Sequence, residues 1–251
     1  MTDLGLQGKT VIVTGAAGGL GRSFAAAFGA AGAKVVAADI DEPGACETAA
    51  LIQSAGGTAL GAGVDVTSRD SCAALAQKAH QDFGTIDALI NNAALYGALT
   101  RAPFEDIDEA VWDQVMAVNI KGVWQMSRAV SPLLPAGGAI VNIASATVFS
   151  GSPEWMHYVA SKGAVIAMTR VMAKELGPRE IRANVIAPGI TMTDASDRLF
   201  ENARTYGAGR AALKRNAEVD DITGAALYLV SPLSGFMTGQ TMVIDGGKQF
   251  I

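Results

Sequence analysis

Short apolar runs alternate with longer stretches of helical spacing along this chain, and that alternation restricts its fold more than any other feature. Residues 9–15 (KTVIVTG) read as a buried strand, because β-branched residues run together until a glycine stops them. Residues 19–31 then carry Leu20, Phe24, Ala27 and Phe28 at helical spacing. The pattern repeats as a strand at 33–39, a helix at 42–55 ended by Gly56 and Gly57, a weaker strand at 58–66 and a helix at 68–83 closed by Gly84. Further strands are expected at 86–93, 138–145, 181–189 and 241–247, with helices at about 108–131 and 155–177. Strands that alternate with helices form a parallel sheet whose connections cover both faces. The expected fold class is α/β: a doubly wound, seven-stranded parallel sheet flanked by helices on both faces.

The 251 residues contain no linker, low-complexity tract or repeat, so a single domain spanning 1–251 is expected. Glycine (29) and alanine (46) make up three residues in ten, which suits helices lying close on a sheet. One stretch, about 190–218, lacks a firm period. In this architecture it would overhang the carboxyl ends of the strands, where ligands bind. The net charge of −5 argues against a large nucleic-acid or anionic-membrane footprint. No run of about 18 apolar residues occurs, and the N-terminus has no basic-then-apolar leader pattern, so a soluble, cytoplasmic protein is expected. Cys46 and Cys72 fall in different helical stretches without CxxC spacing and read as buried or part-buried free thiols. His80 and His157 lack metal-ligand spacing, so no metal is expected.

The first turn, Thr14-Gly15-Ala16-Ala17-Gly18-Gly19-Leu20-Gly21, joins strand to helix. Glycines let the backbone approach a pyrophosphate closely, and the helix N-terminus supplies free N–H groups and a positive dipole end. Such a string is a weak signal alone. Its place between the first strand and the first helix makes it a dinucleotide site and the fold Rossmann-type. Asp39 ends the second strand, 18 residues beyond Gly21. A carboxylate there accepts from the adenosine ribose hydroxyls and repels a 2′-phosphate, so NAD rather than NADP is the cofactor expected.

Tyr158 and Lys162 stand four residues apart in an expected helix and so share a face. Tyrosine titrates near pH 10 unaided, so about 10 is the value to be lowered. An ammonium one turn away favours the phenolate, as would the charge of an oxidised nicotinamide. Tyr158 then serves as general base for alcohol oxidation or general acid for carbonyl reduction. Ser145 closes the fifth strand, where its hydroxyl can hydrogen-bond the reacting oxygen. His157 lies about 100° round the helix from Tyr158, which gives it a substrate-rim or surface place. Tyr96, Val148, Met192, Leu199 and Phe200 lie in segments expected to overhang the strand ends. With Trp155 and Met156 at the helix start, they suggest a mainly apolar substrate pocket. Arg101, Arg198 and Arg204 keep an acidic substrate open.

In this order, TGAAGGLG, Asp39, Asp65, NNAA (91–94), Asn119, Ser145, YVASK (158–162), PGITMT (188–193) and GQTMVIDGG (239–247) resemble the single-domain short-chain dehydrogenases/reductases, from about Gly8 to Gly247. The resemblance implies that Tyr158 is the acid/base and that Lys162 also holds the nicotinamide ribose. It implies that Ser145 orients the substrate and that Asn119 supports a water relay behind Lys162. For the cofactor it implies Gly15, Gly19, Leu20 and Gly21 in the turn, with Asp39 and Ile40 after the second strand and Asp65 and Val66 by the adenine. Asn91 and Ala93 match the stretch along the central strand, and Pro188, Gly189, Thr191 and Thr193 the segment near the nicotinamide.

Two positions depart from the family pattern. Ala94 stands where glycine is usual, so a backbone conformation reserved for glycine would force the loop to shift. Thr191 replaces a branched apolar residue, and its contact would run through the backbone. The stretch 145–170 is similar to enzymes that oxidise alcohols on small rings, such as pyridoxal 4-dehydrogenase and phenylethanol dehydrogenases. The implied assembly is a homotetramer built through the C-terminal strand and the long helices, with a dimer as the alternative. The function expected is hydride transfer between NAD and the carbinol carbon of a moderately apolar, cyclic or aromatic alcohol, or its ketone. The rivals are an NADPH-dependent biosynthetic ketoreductase and a non-catalytic dinucleotide-binding sensor. Ser145, Tyr158 and Lys162, all present, oppose the second.

Overall fold

The chain forms seven strands: β1 (Thr10–Thr14), β2 (Lys34–Asp39), β3 (Thr58–Gly63), β4 (Ala88–Asn91), β5 (Ala139–Ile143), β6 (Arg182–Pro188) and β7 (Thr241–Ile244). They make one sheet in the order β3-β2-β1-β4-β5-β6-β7, with every neighbouring pair parallel. The computed structural model describes residues 4–199 and 203–251, excepting the side chains at 203 and 204. Phe200 and the Arg204 side chain therefore lie outside the described residues.

The helices are α1 (Gly19–Ala30), α2 (Glu42–Ser54), α3 (Arg69–Phe83), α4 (Glu109–Met116), α5 (Val123–Val130), α6 (Thr147–Ser150), α7 (Met156–Leu176), α8 (Asp194–Leu199), α9 (Ala203–Tyr206) and α10 (Val219–Val230). Strand residues alternate between the two faces, as a period of two requires. Val11 and Val13 of β1 pack with Phe24, Phe28, Ile222 and Leu229 on one side. Ile12, between them, packs with Leu75, Met126 and Ile181 on the other. The chain runs outward from β1 to β3 and then returns to place β4 on the other side of β1. That reversal opens a crevice at the carboxyl ends of β1 and β4, where a doubly wound sheet binds its ligand.

Local chemistry sets the helix starts. Asp41 caps α2 by accepting from Gly44 N at 3.2 Å, Ser68 caps α3, and Asp108 caps α4. The expected helix at 108–131 is interrupted: a π-helical turn, Ala117–Gly122, separates α4 from α5 and carries Asn119. The sequence pattern also missed α10. Ile222, Ala226 and Leu229 bury one stripe of it, and Glu218 and Asp221 form a capping box at its start. At its other end the buried Arg182 donates to Leu229 O at 2.6 Å and Ser234 Oγ at 2.7 Å, and reaches Val230 O and Ser231 O as well. A guanidinium at a helix C-terminus satisfies carbonyls that have no helical partner and opposes the dipole.

Two side chains sit elsewhere than expected. Cys46 is exposed, although its backbone lies close against Gly61 of the edge strand β3, whereas Cys72 is buried. His157 is 1% exposed and so is neither at a rim nor on the surface. The side of α7 next to the Tyr158 face is covered too, and that burial lowers the His157 pKa and favours its neutral form. Among the described residues, no helix is long and apolar enough to cross a membrane.

Candidate active site

The β1–α1 turn lies directly on the segment that follows β4. Gly15 has φ of 69°, and a Cβ on it would come within 2.8 Å of Ala93 Cα. A Cβ on Gly21 would collide with the Gly15 carbonyl. Only glycine permits both approaches. Polar bonds fasten the same contact. Thr14 Oγ1 accepts from Asn92 N and Ala93 N, each at 3.1 Å, and Asn92 Nδ2 donates to Thr14 O at 3.0 Å.

A cavity of about 590 Å³ opens above this crevice. At one end it is lined by the glycine turn, Asp39, Ile40, Asp65 and Val66. The first helical bond of α1 is Arg22 N to Gly18 O, so the N–H groups of Gly19, Leu20 and Gly21 stand outside the ladder, on the cavity wall. Asp39 is held firmly: its carboxylate accepts from Ala17 N at 2.9 Å and Asp41 N at 3.0 Å. A Gly18 Cβ would meet nothing within 4 Å, so this end is open space bounded by donors. Those features fit a pyrophosphate and a ribose diol.

Ser145, Tyr158 and Lys162 line the other end together. Ser145 follows β5, and its Oγ accepts from Thr147 Oγ1 at 2.9 Å and Thr147 N at 3.3 Å. With those acceptor positions used, its own proton is left to donate. Lys162 Nζ donates to Ile143 O at 2.8 Å and lies 5.7 Å from the Tyr158 ring centroid. Tyr158 packs against Trp155 (centroids 5.0 Å apart) and Tyr96 (5.4 Å).

That packing reverses the expected pKa balance. Burial pushes the Tyr158 phenol well above its usual value. The neighbouring Tyr96 adds to the rise, and the Ser145 hydrogen bond opposes it. Burial also lowers Lys162 to about 8. The ammonium is where the spacing put it, yet removal from water outweighs its attraction for the phenolate. Tyr96, desolvated in the same cluster, is pushed up to about 12.

Of the residues expected to act, most converge on this cavity. Ala93, Tyr96, Trp155, Pro188, Gly189, Thr191 and Thr193 all line it. Four do not. Asn91 faces the interior, donating to Ser127 Oγ at 2.9 Å and Asn142 Oδ1 at 2.8 Å, and Asn92 lines the cavity instead. Val148 packs inward against the buried cluster of Val123, Val165 and Ile166. Met192 lies behind the wall, where its sulfur accepts from Asn216 Nδ2 at 3.6 Å. Asn119 is fully buried, and its side chain binds Leu95 N at 2.8 Å, Leu95 O at 3.3 Å and Ser161 Oγ at 3.1 Å. Ser161 Oγ in turn donates to Tyr158 O at 2.7 Å, so Asn119 ties the Leu95–Tyr96 loop to the helix that carries Tyr158. The unusual Ala94 costs nothing, since its φ is not positive.

Sequence reasoning missed Thr147, Asn92, Tyr206, Arg210 and Lys248, all on the wall. The polar Ser-Ala-Thr run after β5 was a usable signal for Thr147. The last three come from segments with no periodicity to place them.

A family model described as enoyl-(acyl carrier protein) reductase matches residues 15–249. A solved short-chain dehydrogenase/reductase from Brucella melitensis, titled a glucose/ribitol dehydrogenase, superposes with a TM-score of 0.90 at 31% identity, covering 98% of each chain. The chain belongs to the short-chain dehydrogenase/reductase family. Among its relatives, a 3-oxoacyl-(acyl-carrier-protein) reductase of Thermotoga maritima is 36% identical over 246 residues, 96% of this chain and 98% of that protein. A galactitol 2-dehydrogenase of Agrobacterium fabrum is 37% identical over 258 residues, 97% of this chain and 98% of that protein. As a short-chain dehydrogenase/reductase, the protein is an oxidoreductase of alcohols and ketones that uses a nicotinamide dinucleotide.

Proposed function

We propose that this enzyme is an NAD-dependent dehydrogenase, with Tyr158 as general acid/base on a moderately apolar, cyclic or aromatic alcohol. One observation carries the proposal: a single cavity holds Ser145, Tyr158 and Lys162 at one end and the glycine turn with Asp39 at the other. A bound nicotinamide dinucleotide supplies the hydride acceptor or donor. Gly15, Gly19, Leu20 and Gly21 would hold its pyrophosphate, and Asp39 its adenosine ribose. Pro188, Gly189, Thr191 and Thr193 would border its nicotinamide half.

The remaining chemistry belongs to the side chains. In oxidation the Tyr158 phenolate, which burial disfavours and which the positive charge of an oxidised nicotinamide would favour, takes the proton of the substrate hydroxyl, and in reduction the phenol gives one back. Ser145 Oγ donates to the reacting oxygen. Lys162 favours the phenolate across the 5.7 Å to the Tyr158 ring, and the Tyr96 and Trp155 rings exclude water. Asn119 acts as a positioning residue, through Leu95 and Ser161.

The preference for NAD rests on charge. A 2′-phosphate would meet the fixed Asp39 carboxylate and the exposed, apolar Ile40. Arg22, the cation that directly follows the glycine turn, is already engaged with Ala17 O, Thr48 Oγ1 and Glu47. Exposed Phe236, Phe250 and Ile251 near the C-terminus support a homotetramer, which light scattering would test. The reaction is tested by NADH absorbance on a panel of primary and secondary alcohols, with NAD and NADP compared. NAD should give the higher kcat/KM by at least about tenfold. A preference for NADP would overturn the cofactor assignment, and a Tyr158→Phe variant with full activity would overturn the mechanism.

A further inference from the structure

The chain carries a net charge of −5, yet Arg101, Arg198, Arg210 and Lys248 all line the cavity. Outside the glycine-turn end, the lining holds one carboxylate, Asp194, and Glu154 Oε2 stands 3.9 Å from Arg101 Nε, so two carboxylates face four cations. Among the described residues, Arg198, Arg210 and Lys248 form no ion pair.

Distant parts of the chain build this grouping at the reacting end. Leu213 N donates to Gly246 O at 2.9 Å, and a Cβ on Gly247 would lie 3.0 Å from Ala212 Cβ. The stretches ending in Arg210 and beginning with Lys248 therefore meet at one lip. Next to Lys248, Gln249 Nε2 donates to Ala146 O at 2.9 Å, which fastens the lip beside Ser145. On the facing side, the Arg101 guanidinium lies 5.7 Å from the Trp155 ring centroid and 6.0 Å from that of Tyr206, four residues before Arg210. A backbone bond from Ala102 N to Glu154 O (3.1 Å) holds this side in place. Glu154 has φ of 64°, a conformation that non-glycine residues rarely adopt and that recurs where loops clamp ligands.

We infer that the substrate carries an oxyanion, a carboxylate or a phosphoryl group on a small apolar body, received by the lip of Arg101, Arg210 and Lys248. Guanidinium forks match such oxyanions in geometry, and cations at the mouth of a cavity raise the local concentration of anions. The Trp155, Tyr96 and Tyr206 rings provide the apolar wall. The inference rests on the reading that the substrate reacts beside Tyr158.

The test is binding to the NADH-loaded enzyme, followed by NADH fluorescence, with benzoate, phenylphosphonate and the neutral, near-isosteric benzamide. Benzoate or phenylphosphonate should bind at least about tenfold more tightly than benzamide, and the tighter of the two names the oxyanion. In the Arg210→Gln, Lys248→Gln double variant, at two positions outside the core, the preference should shrink severalfold. Equal binding of benzamide, or a preference unchanged in that variant, would overturn the inference. If anions bind selectively but no alcohol is oxidised with NAD, the reaction assignment fails and the basic lip stands. If alcohols are oxidised and anions have no advantage, the lip fails and the reaction assignment stands.

Discussion

Replacing Lys162 by methionine should make the protein more stable and abolish its catalysis. Lys162 is 3% exposed, and burial lowers its ammonium from 10.5 to about 8. Keeping it charged at neutral pH therefore costs about 3 kcal/mol relative to the unfolded chain. Methionine keeps the length and removes the charge, but leaves Ile143 O without its donor, a loss of about 1 kcal/mol. The net gain of about 2 kcal/mol corresponds to about 4–8 °C in Tm for a chain of this size. The pH dependence carries the sign. Between pH 8 and 10.5 the unfolded lysine binds more protons than the folded one, so the wild type gains stability as pH rises through that window. The penalty is whole below pH 8 and relieved above it. The methionine variant gains nothing there, so its advantage should be greatest at pH 6–7 and fade by about pH 10. Calorimetry of the cofactor-free protein across that range, with kcat/KM at pH 7, checks both halves. A variant no more stable than wild type at pH 7, or an advantage independent of pH, would refute the reasoning.

Tyr158→Phe should lower kcat/KM by about 10²–10⁴ while NADH still binds, as read by its fluorescence. Arg182→Met should remove the donors that close the C-terminus of α10 and cost about 2–4 kcal/mol, measured by urea unfolding, with activity per folded molecule preserved. Asn119→Leu should leave Leu95 N and Ser161 Oγ without their partner, lowering stability by about 1–3 kcal/mol in calorimetry. Its kcat/KM should fall further than unfolding accounts for, since the Leu95–Tyr96 loop then loses its tie to the Tyr158 helix.

What was legible in the sequence was local. The β-branched run of β1, the glycine turn and the four-residue step from Tyr158 to Lys162 each act within one or two turns of backbone, where spacing dictates geometry. The failures fall where distant segments meet. The single turn of α6 decides which of two neighbours reaches the cavity, sending Val148 to the core and Thr147 to the wall. The π-helical turn at Asn119 leaves no mark on apolar periodicity, because its bonds run to Leu95 and Ser161 from outside the helix. The cations at the cavity mouth come from four separate stretches.

The clearest case is Tyr158 itself. Spacing places a cation beside the phenol and so predicts a lowered pKa. Tyr96 and Trp155, expected only as pocket wall, close over the ring and change the medium in which that cation acts. In that medium both partners shift toward neutrality, Tyr158 upward and Lys162 down to about 8. A pattern of charged neighbours fixes the sign of each pairwise interaction, but burial decides whether that interaction or desolvation governs the proton. A Tyr-x-x-x-Lys pair is therefore poised by the aromatic residues around it as much as by its own lysine. Substituting Tyr96 or Trp155 by smaller residues that admit water should bring the Tyr158 pKa back toward its ordinary value, without touching either member of the pair.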